Sequence, residues 1–174
     1  HLAYKLNRFL PHDIVKNNVY PVPDDMHARF SALTRTYYYH VALRKDPFMV
    51  NYSYRLPFFV DFGLMNDAAA HLLQVDDFAS FCKVHTDVKT TLCKVMKAEW
   101  IDDGDGHRHF EITANRFLRN MVRAIVGTLI DVGRGRLSVD NFCRIVEAKD
   151  RGEAGSSAPA KALFFEGAEY PYRF

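Results

Sequence analysis

Residues 92–130 read LCKVMKAEWIDDGDGHRHFEITANRFLRNMVRAIVGTLI and set both regular periodicities side by side. Leu92–Ile101 and His107–Thr113 have the β-branched and aromatic content of strands. The turn Asp102-Asp103-Gly104-Asp105-Gly106 between them makes an antiparallel hairpin the simplest reading. The period then changes. From Arg116 to Ile130 the residues Phe117, Leu118, Met121, Val122, Ile125, Val126 and Leu129 share one broad face of a helix. Arg116, Arg119, Asn120, Arg123 and Gly127 share the other. Asn115 is placed to cap this helix and Gly133 lies just past its end. A hairpin followed directly by an amphipathic helix points to a sheet with helices laid on it.

Further out the same mixture continues. Residues 34–44 (TRTYYYHVALR) alternate, with Tyr37, Tyr39, Val41 and Leu43 on one face and Tyr38, His40 and Ala42 on the other. Ser138 opens a helix that runs to about Ala148. The small-residue loop Gly152–Pro159 follows, and then a last strand from Ala162 to Tyr170. Toward the N-terminus, residues 2–9 have a weak helical period ending before Pro11. Val19–Val22 reads as a short strand, with Pro23-Asp24-Asp25 as its turn, and Asn66 as the cap of a short helix to about Gln74. The fold class expected is α+β, a largely antiparallel sheet with helices packed on one face.

The 174 residues suffice for one sizeable core, and 48% apolar with 25% charged residues is ordinary for a globular protein. A net charge of +2 is too mild to argue for nucleic acid by itself, so that argument rests on local clusters. From Arg108 to Arg136 there are six arginines against two acids, Glu111 and Asp131. Aligned guanidinium groups hold phosphates, although a helix also needs a solvated polar face. Tyr37-Tyr38-Tyr39 offers an aromatic surface on which a base could stack, or else a row of sheet-core rings. His27 and Arg29, two apart on a segment read as extended, would point the same way. Cys82, His85 and Cys93 lack a zinc spacing, and three cysteines without a tight pattern read as reduced thiols of a cytoplasmic protein. The paired acids Asp76-Asp77 and Asp102–Asp105 are explained by turn chemistry in the second case. No apolar run approaches the ~20 residues of a membrane span.

Several of these segments, in order, resemble the tRNA pseudouridine synthase A (TruA) family. Leu6-Asn7-Arg8-Phe9-Leu10-Pro11-His12-Asp13-Ile14 resembles its LN-x-x-LP-x-DI segment. His27-Ala28-Arg29-Phe30-Ser31-Ala32 is similar to its HARFSA segment, and Arg35-Thr36-Tyr37-Tyr38-Tyr39 to R-x-Y-x-Y. Asp77-Phe78-Ala79-Ser80-Phe81 resembles DF-x-SF, and residues 115–127 resemble the F-x-x-x-MVR-x-[IM]-VG helix. Ala148-Lys149-Asp150-Arg151, then Ala158-Pro159-Ala160 with Leu163, resemble the closing segments. Gln74 and Val75 depart from a position where Gly is common, and Ala162 stands where the family usually has Gly.

The resemblance implies a pseudouridine synthase: an isomerase of tRNA processing that cleaves the glycosidic bond of uridine, turns the base and rejoins it through carbon 5. The targets implied are positions 38, 39 and 40 in the anticodon arm of tRNA. It implies no cofactor or metal, no membrane, and a homodimer in which the tRNA arm touches both subunits. By resemblance Tyr37 stacks on the target base, Leu163 lines the uracil pocket, and Arg123 is the charge partner of the catalytic aspartate. Arg116 and Arg119 are assigned to phosphates by their chemistry; His27 and Arg29 are taken as RNA contacts. The family's nucleophile lies in a GRTDAGVHA segment, and no R-T-D triplet occurs in this sequence. The chain is therefore expected to be the C-terminal part of such a synthase, inactive alone. Residues 1–22 would be the end of the preceding half and 23–174 the C-terminal domain. The rival expectation is a non-catalytic RNA-binding or dimerisation module on the same scaffold.

Overall fold

The computed structural model of the chain describes residues 2–83 and 89–172. They divide into two compact units: one comprises the residues up to Ala32 with those from Tyr170 on, and the other is Leu33–Glu169. The first unit contains a single short helix, α1 (Leu2–Asn7). Asn7 ties the segment that follows by accepting from the Lys16 amide at 2.7 Å and donating to its carbonyl at 2.9 Å. The strand expected at Val19–Val22 does not form. Val19 and Val22 are both exposed, and with no neighbouring strand to pair their backbone, β-propensity alone does not make a strand.

The second unit holds a five-stranded sheet: β1 (Thr34–Ala42), β2 (Tyr54–Arg55), β3 (Val95–Gly104), β4 (His107–Ala114) and β5 (Leu163–Glu169). The order is β2-β1-β4-β3, and β5 lies against the first part of β1 on the side where β2 continues. Every pairing is antiparallel except the two-residue contact of β1 with β2. The hairpin β3–β4 forms as expected, its turn carried by Gly104, Asp105 and Gly106, all at positive φ.

Helices α2 (Phe62–His71), α3 (Met121–Gly133) and α4 (Val139–Ala148) complete the unit. The α+β class with helices on the sheet is as read from the sequence. Tyr39 and Val41 from β1, Phe110 and Ile112 from β4, and Trp100 from β3 are buried in one core with Met65, Met121, Ile125 and Leu129. On β3 the inward residues are Val95, Ala98 and Trp100, out of strict alternation. Val95 pairs with Ala114 and Lys97 with Thr113, so Met96 is an extra residue, and such a bulge shifts the phase of all that follows.

Two helix starts differ from expectation. The cap of α2 is Asp61, whose carboxylate accepts from the Leu64 amide at 3.1 Å. Asn66 sits inside that helix and turns its amide to β3, bonding the Trp100 backbone at both N (2.7 Å) and O (3.2 Å). Helix α3 begins at Met121, not Arg116. Its cap is Asn120 at φ 68°, a left-handed conformation that Asn tolerates. Asn115 instead accepts from the Lys94 amide at 2.8 Å and so ties the end of β4 to the entry of β3. Arg116 and Arg119 thus lie in a loop, and only Arg123 of the three is on the helix. Helix α4 starts on its expected cap, Ser138, which accepts from the Asn141 amide at 3.1 Å.

Candidate active site

Residues 149–162 connect α4 to β5 and lie across α3 as a strap. Gly127, in the middle of α3, makes the approach possible. A Cβ there would fall on the Ser156 carbonyl oxygen, 3.0 Å from its carbon and 3.2 Å from the Ala158 nitrogen. Thr128 on the next position accepts from the Gly155 amide at 3.0 Å. Arg151 gathers the strap from within: its guanidinium donates to the carbonyls of Ala154 and Gly155 and to Ser157 Oγ, each at 3.2 Å. Asn120 donates to the same Ser157 hydroxyl at 2.6 Å.

The strap and Arg123 hold one another. The Ala158 amide donates to the Arg123 carbonyl at 2.9 Å, and Arg123 Nε donates back to the Ala158 carbonyl at 2.6 Å. The guanidinium is therefore fixed along one edge. Its two amino groups make no other hydrogen bond to a described residue, so they remain for an outside acceptor such as a carboxylate or phosphate. Arg123 is half-buried beneath the strap and does not stand on a fully solvated polar face.

The next carbonyl, Pro159, accepts from the buried Tyr39 hydroxyl at 2.9 Å. Burial holds the ionisation of that hydroxyl well above the usual tyrosine range, and the nearby Arg123 charge only partly opposes this. Tyr39 is thus a core ring that anchors the strap. Tyr37, two residues earlier on the same face, is the half-buried one. It meets Phe117 edge-on at 5.1 Å and Phe165 at 5.4 Å. Phe165 reaches it through a second bulge: Thr36 pairs with Gly167 but Tyr37 with Phe165, so Glu166 is the extra residue. Without that bulge Phe165 would lie on the opposite face. Phe165 stays 58% exposed, leaving an aromatic edge open beside Tyr37.

Leu163 follows the strap directly and pairs with Tyr39, part-buried against the core. Ala162, where Gly was the expected type, is fully buried and is not among the residues at positive φ, so its Cβ causes no strain. The fold therefore brings Tyr37, Leu163 and Arg123 to one strap and one edge of β1. It does not align Arg116 and Arg119 with Arg123 on a helix face. Arg116 is half-buried near Cys93, whose thiol burial pushes up to about 11 while the arginine opposes the rise. Arg119 is exposed, and its carbonyl accepts from Lys83.

His27 and Arg29 belong to the first unit. The segment is a turn, not an extended strand: His27 Nδ1 accepts from the Arg29 amide at 3.0 Å and the Phe30 amide at 3.3 Å. The His27 amide donates to Ser31 Oγ at 3.0 Å. The ring thus shapes the turn, and Arg29 lies over Phe30 at 5.5 Å.

The paired acids have structural partners. Asp77 accepts from Thr91 Oγ1 at 2.6 Å and the Ala79 amide at 3.1 Å, and pairs with Lys149 at 3.1 Å. Asp102 binds Arg108, and Asp103 binds His109 at 2.7 Å. Among the described residues no cluster of His, Cys, Asp and Glu could hold a metal ion, and Cys82, Cys93 and Cys143 are not paired in disulfides with one another. His85 lies outside the described residues. No described helix is long and apolar enough to cross a membrane.

Sequence reasoning missed the Ala158 carbonyl, Asn120 and Phe165. Backbone acceptors carry no residue-type signal. The run of small residues Gly152–Pro159 did mark a segment able to lie close on a helix.

Residues 68–171 match the family model described as tRNA pseudouridine synthase. The chain is 54% identical over 170 residues to the tRNA pseudouridine synthase A of Bacteroides fragilis, covering 98% of this chain and 68% of that protein. Identity to the protein of the same name from Parabacteroides distasonis is 53%, with 98% and 67% covered. For Bacillus subtilis it is 38%, with 96% and 68% covered. The chain spans about two thirds of the length of these relatives. With a family model matched over more than half the chain and relatives well above 30% identity, the chain belongs to the tRNA pseudouridine synthase family.

Proposed function

We propose that this chain forms part of an enzyme that converts uridine to pseudouridine in the anticodon arm of tRNA, at positions 38, 39 and 40. The observation that carries the reading is the state of Arg123. Its guanidinium is oriented by one hydrogen bond to Ala158, with two amino groups left for an acceptor, and the same strap leads through Leu163 into β5, whose Phe165 forms an open aromatic edge with Tyr37. In this reading Arg123 pairs with the nucleophilic aspartate. An arginine within about 4–6 Å lowers a carboxylate pKa by about 1–3 units, so the nucleophile stays ionised. Tyr37 stacks on the uracil after it leaves the RNA stack, and Leu163 closes the apolar side of the pocket. Unstacking costs a few kcal/mol, and base–aromatic contact worth about 1–3 kcal/mol offsets it.

The aspartate itself is assigned to residues outside these 174, because the R-T-D triplet occurs nowhere among them. The chain alone is then inactive, and the active species is a homodimer in the cytoplasm that needs no cofactor. Arg116, Arg119 and Arg29 contribute to RNA contact by charge, and His27 contributes by shaping the turn that presents Arg29. The test is pseudouridine formation by the full-length protein on unmodified tRNA, followed base by base, with mass measured in solution. Turnover confined to positions 38–40 is expected. Salt-sensitive tRNA binding with no turnover would favour the non-catalytic RNA-binding module instead.

A further inference from the structure

A second cleft opens at the edge of the sheet where β1 passes from β5 to β2. Its volume is about 520 Å³, and Arg44, Lys45, Arg55 and Lys161 line it together with Asp46. Four cations against one carboxylate is a strong local excess in a chain whose net charge is only +2. Asp46 is itself engaged: one carboxylate oxygen lies 3.1 Å from His107 Nε2, and the other accepts from the Phe48 amide at 2.8 Å. Of the cations, Arg44 reaches the exposed Asp105 at 3.4 Å, and Lys161 donates to the Val50 carbonyl. The side chains of Lys45 and Arg55 are exposed and make no hydrogen bond or ion pair with a described residue.

The position of the cleft matters as much as its charge. Lys161 lies on the strap between Ala158, which holds Arg123, and Leu163, which pairs with Tyr39. Arg55 pairs with Ala42, five residues beyond Tyr37 on β1, or about 17 Å along the strand. Phe48, next in sequence to Pro47 of the lining, is 88% exposed, and Tyr52, next to Ser53 of the lining, is exposed too. A cleft lined by four cations, with exposed aromatic residues adjacent in sequence to its lining, suits a nucleic-acid strand better than an acidic protein surface.

We propose that this cleft binds the sugar-phosphate backbone of the substrate RNA about 17 Å from the base pocket, with Lys45 and Arg55 each neutralising a phosphate. The proposal rests on the tRNA-modifying reading and adds a backbone site at a defined distance from the base pocket. Its role is affinity and register, not bond chemistry, because none of these groups approaches Tyr37 or Arg123.

The test uses the full-length protein with Lys45→Ala and Arg55→Ala combined, and measures tRNA affinity at several salt concentrations. Each phosphate contact contributes about 0.7–0.9 to the slope of log affinity against log salt, so the slope should fall by about 1.4–1.8. Affinity at low salt should fall about tenfold or more, while the single-turnover rate at saturating tRNA stays within twofold. Lys45→Arg with Arg55→Lys should restore the slope. Parental affinity and slope in the double alanine variant would overturn the cleft and leave the synthase reading standing. A loss of rate at saturation without loss of affinity would also overturn it. If the parent protein neither binds tRNA nor forms pseudouridine, the functional reading fails and the cleft proposal with it.

Discussion

Replacing Gly127 by alanine sets two effects of opposite sign against each other. In a helix interior alanine is better than glycine by about 1 kcal/mol, and Gly127 is central in α3. Propensity alone therefore predicts a more stable protein. The added Cβ, however, must occupy the place of the Ser156 carbonyl, and the Ala158 nitrogen is only 3.2 Å away. The contact is with backbone on both sides, so no side chain can turn aside. Overpacking of this kind costs about 1–3 kcal/mol. The net change in stability is then between about zero and −2 kcal/mol, or a fall in Tm of up to about 4–8 °C at about 2–4 °C per kcal/mol for a chain of this size. Activity should fall much further. The strap can relieve the overlap only by lifting away, which breaks the reciprocal Arg123–Ala158 pair at 2.6 and 2.9 Å. A displacement of ~1 Å at a catalytic group costs about 100-fold in rate. Thermal denaturation and single-turnover pseudouridine formation on the same full-length preparation separate the two effects. A Gly127→Ala protein that is both more stable and fully active would refute the reasoning, because it would mean that the strap does not set Arg123.

Arg123→Ala should reduce turnover by 100-fold or more while tRNA affinity changes less than threefold, read from single-turnover rates and binding isotherms. Arg123→Lys should recover little, since an ammonium cannot keep the Nε–Ala158 bond and also present two amino groups. Tyr37→Phe should stay within about tenfold of the parent rate because the stacking face persists, whereas Tyr37→Ala should lose about 1–3 kcal/mol of base contact, seen as weaker binding of a minimal stem-loop. Asp77→Asn should destabilise the protein near neutral pH, and the gap to the parent should close in acid. The Thr91 hydroxyl first, and then Lys149 and the Ala79 amide, hold the Asp77 carboxyl below its ordinary value of 3.8. A folded-state pKa below the unfolded one gives stability that is complete above the unfolded value and is lost as pH falls through the folded one. Urea midpoints of both proteins from pH 7 down to pH 3 check this.

The sheet was legible where strands bury one face regularly. Phe110, Ile112 and Ala114 on β4 keep strict alternation, Tyr39 and Val41 on β1 do so until Ala42 is buried as well, and both strands matched expectation to within two residues. The misplaced elements have local causes. Phe117 and Leu118 continue the apolar spacing of α3 backwards, which made Arg116 look like the first helical residue. They are covered because the loop packs them on the sheet, Phe117 against Tyr37, and Asn120 in a left-handed conformation ends that loop. A pattern of apolar residues records burial but not the backbone that produces it. Asn66 shows the same limit for polar residues: an Asn near a helix start can cap it, or can point inward to bond another element, as it does at Trp100.

At the candidate site the motifs identified the residues but not what holds them. Tyr37, Arg123 and Leu163 carried sequence signals, while their arrangement depends on the Ala158 and Pro159 carbonyls and on the extra residue Glu166 in β5. None of those three has a side-chain chemistry that announces its role. The consequence is a specific division of labour. Backbone carbonyls of one strap accept in succession from Arg123, at residue 158, and from the core ring Tyr39, at residue 159, before the chain enters β5 at Leu163. A change anywhere in residues 154–159 that shifts those carbonyls should then act on charge pairing and on the apolar pocket wall together. Changes to Phe165 or Phe117, which touch Tyr37 from outside the strap, should alter base contact and leave the charge pair intact.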